Sequence, residues 1–171
     1  AHYDSVSNGP GADDNGTGVT GVMEIARIIS AYHFEKTLRF IGFDLEEEGL
    51  IGSNAYVNKN GLSVTDTIDG VLNFEMIGYY SEKNNSQTLP TGFNLLFPEA
   101  SAAVVADNYR GNFITNVGNV ASKSLNTAFK EAASEFAPEL KVISLDVPGT
   151  GTIVPDLRRS DHASFWDAGK P

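Results

Sequence analysis

From Val19 onward the apolar positions fall at helical intervals. Val19, Val22, Met23, Ile25, Ala26, Ile29 and Tyr32 lie along one side of a helix running towards His33. Asp14 or Asn15 stands where its N-cap belongs. The next run, TLRFIGFDL at 37–45, is almost wholly apolar, which predicts a strand buried on both faces. IDGVLNF at 68–74 reads the same way, and GSNAYVNKN at 52–60 suits a short helix. Residues 79–92 are polar and loop-like, NLLF at 94–97 suits a short strand, and 100–120 carries no single period. Helical spacing returns in KSLNTAFKEAASEF at 123–136, with Leu125, Ala128, Phe129, Ala132 and Phe136 on one face. KVISLDV at 141–147 predicts a strand and 148–159 a loop. SDHASFWDAG at 160–169 predicts a helix opened by Ser160 as N-cap. Strands alternating with helices imply an α/β fold, a mostly parallel mixed sheet flanked by helices, in a single domain over 1–171.

That pattern gives the acidic residues and His2 a place. His2 and Asp4 precede the Gly/Asp-rich turn GPGADDNGTG. Glu46, Glu47 and Glu48 directly follow the run 37–45, and Glu75 directly follows 68–74. In an open α/β sheet, ligands bind beyond the carboxyl ends of the strands, so these groups converge on one edge. His2, Asp14, Glu47 and Glu75 offer one imidazole nitrogen and three carboxylates, a donor set suited to Zn²⁺ or a similar divalent ion. A two-metal centre needs a bridging carboxylate between the ions. Glu46 is then free to serve as general base.

Composition narrows the chemistry. Asp and Glu total 22 against 12 Lys and Arg, a net charge of −10, which leaves no basic stripe for nucleic acid. There is no cysteine, so thiolate ligands, disulfides and a cysteine nucleophile are excluded. No apolar run reaches membrane-spanning length, which predicts a soluble chain without a membrane partner. Residues 16–21 are glycine-rich, but no lysine follows in the place a phosphate loop requires. Plainer roles suit several neighbours: Asp13 as a structural residue, Glu48 and His33 as solvated side chains, and Phe165 and Trp166 as helix-packing residues. The first residues carry no signal-peptide pattern, and both ends read as cut, so the chain is expected to be an internal piece of a longer protein.

The segments AHYDS, GPGADDNGTGV, LRFIGFDLEEEGLIGS, NFEMIG and RSDHASFWDAGKP together resemble the zinc aminopeptidase family M28, in the family's order and over essentially the whole chain. The resemblance implies a three-layer α/β/α fold with two Zn²⁺ ions in the crevice and a peptide as substrate. It implies that His2 ligates one zinc, that Asp14 bridges both, that Glu47 ligates the other, and that Glu46 is the general base. Glu75 stands where many members have Asp. Asp4 matches a carboxylate that orients the ligand histidine. His162 lies near the crevice, Met76 matches a residue lining the first side-chain pocket, and Arg159 matches an arginine near the substrate backbone. A cis peptide is implied at Asp14–Asn15. The family's last histidine ligand comes from a segment beyond Pro171, so this chain is expected to complete one metal site and to leave the other with Asp14 and Glu47.

The implied activity is release of N-terminal residues from peptides, and the implied location is secreted or periplasmic. Relatives within the same fold would be carboxypeptidases, with Arg158 and Arg159 holding a substrate carboxylate, or glutaminyl cyclases using one zinc. A catalytically silent binding module is the alternative from another class.

Overall fold

Helix formation in this computed structural model follows the local signals closely; residues 1–63 and 65–171 are described. The elements in chain order are α1 (Gly16–Ile29), α2 (Ile51–Ala55) continuing into a π-helical turn (Tyr56–Asn60), α3 (Phe93–Leu96), α4 (Pro98–Ala106), β1 (Phe113–Asn119), α5 (Lys123–Phe136), β2 (Lys141–Val147) and α6 (His162–Asp167). The chain divides into two compact units, 1–78 with 159–170, and 79–158 with Pro171.

In the first unit, Asn15 caps α1, its side-chain oxygen accepting the Gly18 amide at 3.1 Å. The Asp14–Asn15 peptide is cis, as expected. Gly18 is required here, because a Cβ would lie 2.5 Å from the Phe74 carbonyl and still closer to Asn15 Oδ1. Of the apolar face read from the sequence, Val19, Val22, Ala26 and Ile29 are half-buried, while Met23, Ile25 and Tyr32 are exposed. The aromatic centre of the unit is Phe43, Tyr56 and Phe165, with ring centroids 5.7 to 6.2 Å apart. Ala163 and Trp166 complete it from α6, in keeping with packing roles for Phe165 and Trp166.

The two buried strands expected at 37–45 and 68–74 are not formed. Among the described residues only Phe43 pairs, in a parallel bridge with His2. The Phe43 amide donates to the Ala1 carbonyl and the Tyr3 amide to the Phe43 carbonyl, both at 3.0 Å. Leu38, Phe40 and Leu72 are exposed. A strand needs a neighbour to take up its N–H and C=O groups, and an apolar run by itself does not supply one.

The second unit contains a β–α–β element. β1 and β2 pair in parallel from Phe113 opposite Lys141 to Asn119 opposite Val147, with α5 as the crossover. Asn119 caps the turn leading into α5, its side chain accepting the Ser122 amide at 3.0 Å. Asn126 on α5 donates to the Leu145 carbonyl and to Asp146, each at 3.1 Å, locking helix to strand. Leu145, Val147, Val104 and Phe97 are buried. The helix covers 123–136 as the spacing predicts, but its inward stripe is the buried Asn126 with half-buried Leu125, Phe129 and Ala133, and Phe136 is 79% exposed. The strand expected at 94–97 is instead α3: the Phe97 amide returns to the Phe93 carbonyl at 2.8 Å, a local bond that needs no partner strand. The stretch without a clear period, 100–120, holds most of α4, opened by Pro98 at its first turn, and all of β1. The fold is thus α/β in character, and its one sheet among the described residues has two strands.

Candidate metal centre

The site is assembled in the first unit from four backbone segments. The parallel bridge runs residues 1–4 alongside 42–46, so His2 and the glutamate turn emerge at the same end. At that end Asp4 accepts the amide of Glu46 at 3.2 Å and of Glu47 at 3.1 Å, one on each carboxylate oxygen. Leu45 has φ +56, in the left-handed region, which turns the chain sharply just before Glu46. The Glu46 carbonyl then accepts the Gly49 and Leu50 amides, both at 2.9 Å, closing the turn. In this way two adjacent glutamates are presented where an extended strand would send them to opposite faces.

His2 is 1% exposed. Its Nδ1 lies 3.2 Å from the Asp4 carbonyl oxygen and 3.3 Å from Asp4 Oδ1. Its Nε2 faces Asp14 Oδ1 at 3.2 Å, Glu75 Oε2 at 3.3 Å and Glu46 Oε2 at 3.8 Å. His2, Asp14 and Glu75 each offer one ligand atom within 4.8 Å of the others. Ligands about 2.0–2.1 Å from a tetrahedral zinc lie about 3.3 Å from one another, so the two closer spacings match the edges of such a shell. The donor set also fits, one imidazole nitrogen with carboxylate oxygens. Glu47 is not in this group, but its Oε1 is buried and has no hydrogen-bond partner, as an oxygen awaiting a cation would be.

Charge crowding perturbs the titrations. Burial pushes the Glu46 carboxyl up to about 7; His2 opposes the rise, and Glu75, Asp161 and Glu47 add to it. Burial also raises Glu75, against the Ser160 hydrogen bond and His2. Burial works against the His2 imidazolium, but the Glu75, Glu46, Asp4 and Asp14 carboxylates outweigh it and leave the ring more basic than usual.

Several positioning contacts are absent from the sequence reading. Asn15 is fully inside and uses both ends of its amide. Its Nδ2 donates to the Phe74 carbonyl at 2.9 Å and to Glu75 Oε2 at 3.1 Å, while Oδ1 accepts the Met76 amide at 3.2 Å as well as capping α1. Ser160, expected to cap α6, instead donates to Glu75 Oε2 at 2.6 Å and accepts from Asn73 at 2.7 Å. The residue before α6 is Asp161, which makes no side-chain cap. Asp13 is structural, accepting the Thr17 hydroxyl at 3.0 Å and the Gly78 amide at 2.9 Å. The usable signal for Asn15 is chemical: next to a clustered aspartate, an amide both donates and accepts.

The remaining candidates stand further out. Met76 follows Glu75 with φ +46 and an exposed side chain. Arg159 is exposed immediately before Ser160. His162 packs edge-on against Trp166, with ring centroids 4.5 Å apart. Glu48 and His33 are exposed, in line with solvated roles. No helix among the described residues is long and apolar enough to cross a membrane.

Comparison with known proteins agrees with the motifs. The model of peptidase family M28 matches residues 1–171. The chain is 29% identical over 182 residues to Escherichia coli K12 protein YfbL, covering all of this chain and 52% of YfbL. It is 41% identical over 83 residues to aminopeptidase YwaD of Bacillus subtilis, which is 48% of this chain and 18% of YwaD. It is 37% identical over 111 residues to the probable lipoprotein aminopeptidase LpqL of Mycobacterium tuberculosis, 61% of this chain and 22% of LpqL. The chain therefore spans about half the length of YfbL and about a fifth of the other two. No solved structure matches it.

Proposed function

The chain belongs to peptidase family M28, and from that premise we propose that it carries the metal and base residues of a zinc-dependent aminopeptidase. His2, Asp14 and Glu75 would hold one zinc ion, and Asp14 with Glu47 would begin the site of a second. When bound, the ions supply Lewis acidity to the scissile carbonyl and lower the pKa of the attacking water. Glu46 takes the proton from that water and delivers it to the leaving amine as the C–N bond breaks. The products are the N-terminal amino acid and the shortened peptide. Asp4 keeps the His2 ring turned towards the ligands and holds the amides of both glutamates.

The single observation that carries this reading is the spacing around His2 Nε2, 3.2 Å to Asp14 and 3.3 Å to Glu75, with Glu46 beside them at 3.8 Å. The aminopeptidase names of YwaD and LpqL support the reaction class. Met76 and Arg159 are assigned to the substrate side, next to Glu75 and Ser160 respectively, and His162 to the crevice wall. The three-layer α/β/α arrangement belongs to the same proposal: the exposed apolar run at 37–42 and the partly buried one at 68–74 are the segments that would serve as its further strands. The word lipoprotein in the name of LpqL supports a location in the cell envelope or outside it.

The test is zinc content by elemental analysis, followed by hydrolysis of aminoacyl substrates with free and with blocked N-termini. Bound zinc with turnover of the free-amine substrates alone is the expected result. Turnover of blocked substrates at equal rate would move the reading to another peptidase class. Absence of bound zinc after saturation and mild dialysis would overturn it.

A further inference from the structure

Asp161 is 1% exposed, and neither of its carboxylate oxygens has a hydrogen-bond partner. Its backbone has a clear task, since the Asp161 carbonyl accepts the Ser164 amide at 3.2 Å as α6 begins. Its side chain has none in the packing. The Ser53 hydroxyl beside it favours the charged carboxylate, but it also lies 3.0 Å from Ser164 Oγ and 3.3 Å from the Leu50 carbonyl. A buried anion so sparsely supplied with donors is unfavourable, and asparagine would fill the same space without the charge.

The surroundings of Asp161 suggest a task for it. Its electrostatic neighbours are the Ala1 ammonium and, at the metal centre, His2, Asp4 and Glu46. It is not one of the three residues whose ligand atoms converge there. Against Asp4 and Glu46 a further buried anion adds repulsion, which the Ala1 ammonium and His2 oppose. Beside a divalent cation its sign becomes favourable, and in a poorly solvated interior that attraction acts over more than one side-chain layer.

We propose that Asp161 is a charge-positioning residue for the divalent ion: it strengthens retention of the ion by His2, Asp14 and Glu75 without touching it, at the expense of the stability of the metal-free chain. This inference rests on the metal reading above. It predicts a pair of effects of opposite sign, which a merely structural residue does not produce.

The experiment compares the wild-type chain, Asp161→Asn and the uncharged neighbour variant Ser53→Ala. Each is stripped with chelator and titrated with zinc in competition with a chromophoric chelator. Melting temperatures are recorded metal-free and zinc-saturated. Asp161→Asn is expected to weaken zinc binding about ten- to a hundredfold, to raise the metal-free melting temperature, and to shrink the stabilisation that zinc confers. Ser53→Ala is expected to keep the wild-type zinc affinity. Unchanged zinc affinity in Asp161→Asn overturns the proposal and leaves the metal reading intact. Weakened affinity with a lowered metal-free melting temperature also overturns it, because the carboxylate would then be holding the fold. Failure of the wild-type chain to bind zinc overturns the metal reading, and this proposal with it.

Discussion

Asp4 and Glu47 are joined through the backbone: Asp4 Oδ2 accepts the Glu47 amide at 3.1 Å. Its other oxygen accepts the Glu46 amide at 3.2 Å and lies 3.3 Å from His2 Nδ1. One carboxylate therefore sets the orientation of the imidazole and the path of the turn that carries two glutamates. Coupling of this kind lets a single side chain place both the proposed metal ligands and the proposed base.

Replacing Asp4 by Asn tests that coupling. The amide nitrogen would face a backbone N–H or the ring where an acceptor is needed, and His2 would lose a negative partner. Zinc affinity is expected to fall about ten- to a hundredfold, as read by competition with a chelator of known affinity. Wild-type affinity in Asp4→Asn would show that the ring is oriented by other contacts.

Glu46→Gln separates base from ligand. Glutamine keeps the size of the side chain but cannot accept the water proton. Hydrolysis of aminoacyl substrates is expected to fall by about a hundredfold or more, with zinc content unchanged. Activity within a few-fold of wild type would remove Glu46 from its role.

The metal-free chain is expected to lose stability as pH rises. Burial raises Glu46 from its ordinary 4.5 to about 7 and raises Glu75, and the surrounding carboxylates raise His2. Each group binds its proton more tightly folded than unfolded. The stabilisation is therefore complete below the unfolded pKa and is lost as pH climbs through the folded one, near 7 for Glu46. Melting temperatures of the chelated chain should fall between about pH 5 and 8. Zinc saturation, which favours the deprotonated ligands, should reverse that slope. A flat or rising profile without metal would contradict the charge crowding at the site.

Asn15→Ala removes the α1 cap and three further bonds, to Phe74, Glu75 and Met76. The expected cost is about 1–3 kcal/mol, in the range of a lost cap or an unsatisfied buried group. Urea denaturation of the zinc-free chain measures it without the metal contributing. A change below about 0.5 kcal/mol, the scale of ordinary surface substitutions, would mean that the bonds are replaced by water.

Periodicity found α1, α5 and β2 because their signals are local: amphipathic spacing, caps and a compact β-rich run. It failed at 37–45 and 68–74, where an apolar run names a strand but not the partner that must pair with it. It failed again at 94–97, where Phe97 bonds back to Phe93 within one helical turn. For the proposed site, residue chemistry in order along the chain nominated His2, Asp14, Glu46, Glu47 and Glu75. Three of these, His2, Asp14 and Glu75, are brought within ligand distance of one another.

The residue types and their order thus nominated, without coordinates, the groups proposed to bind a divalent ion and the one proposed to move a proton. Only the tertiary structure decided what holds them. Asn15 reaches Glu75 across 60 positions, Asp4 reaches Glu47 across 43, and Ser160 reaches Glu75 across 85. Hydrogen bonds across such separations depend on how the chain returns to itself, and no local pattern of apolar and polar residues carries that information. The same holds for Asp161: its type is written in the sequence, but the burial of its carboxylate beside the candidate metal centre is a property of the packed interior.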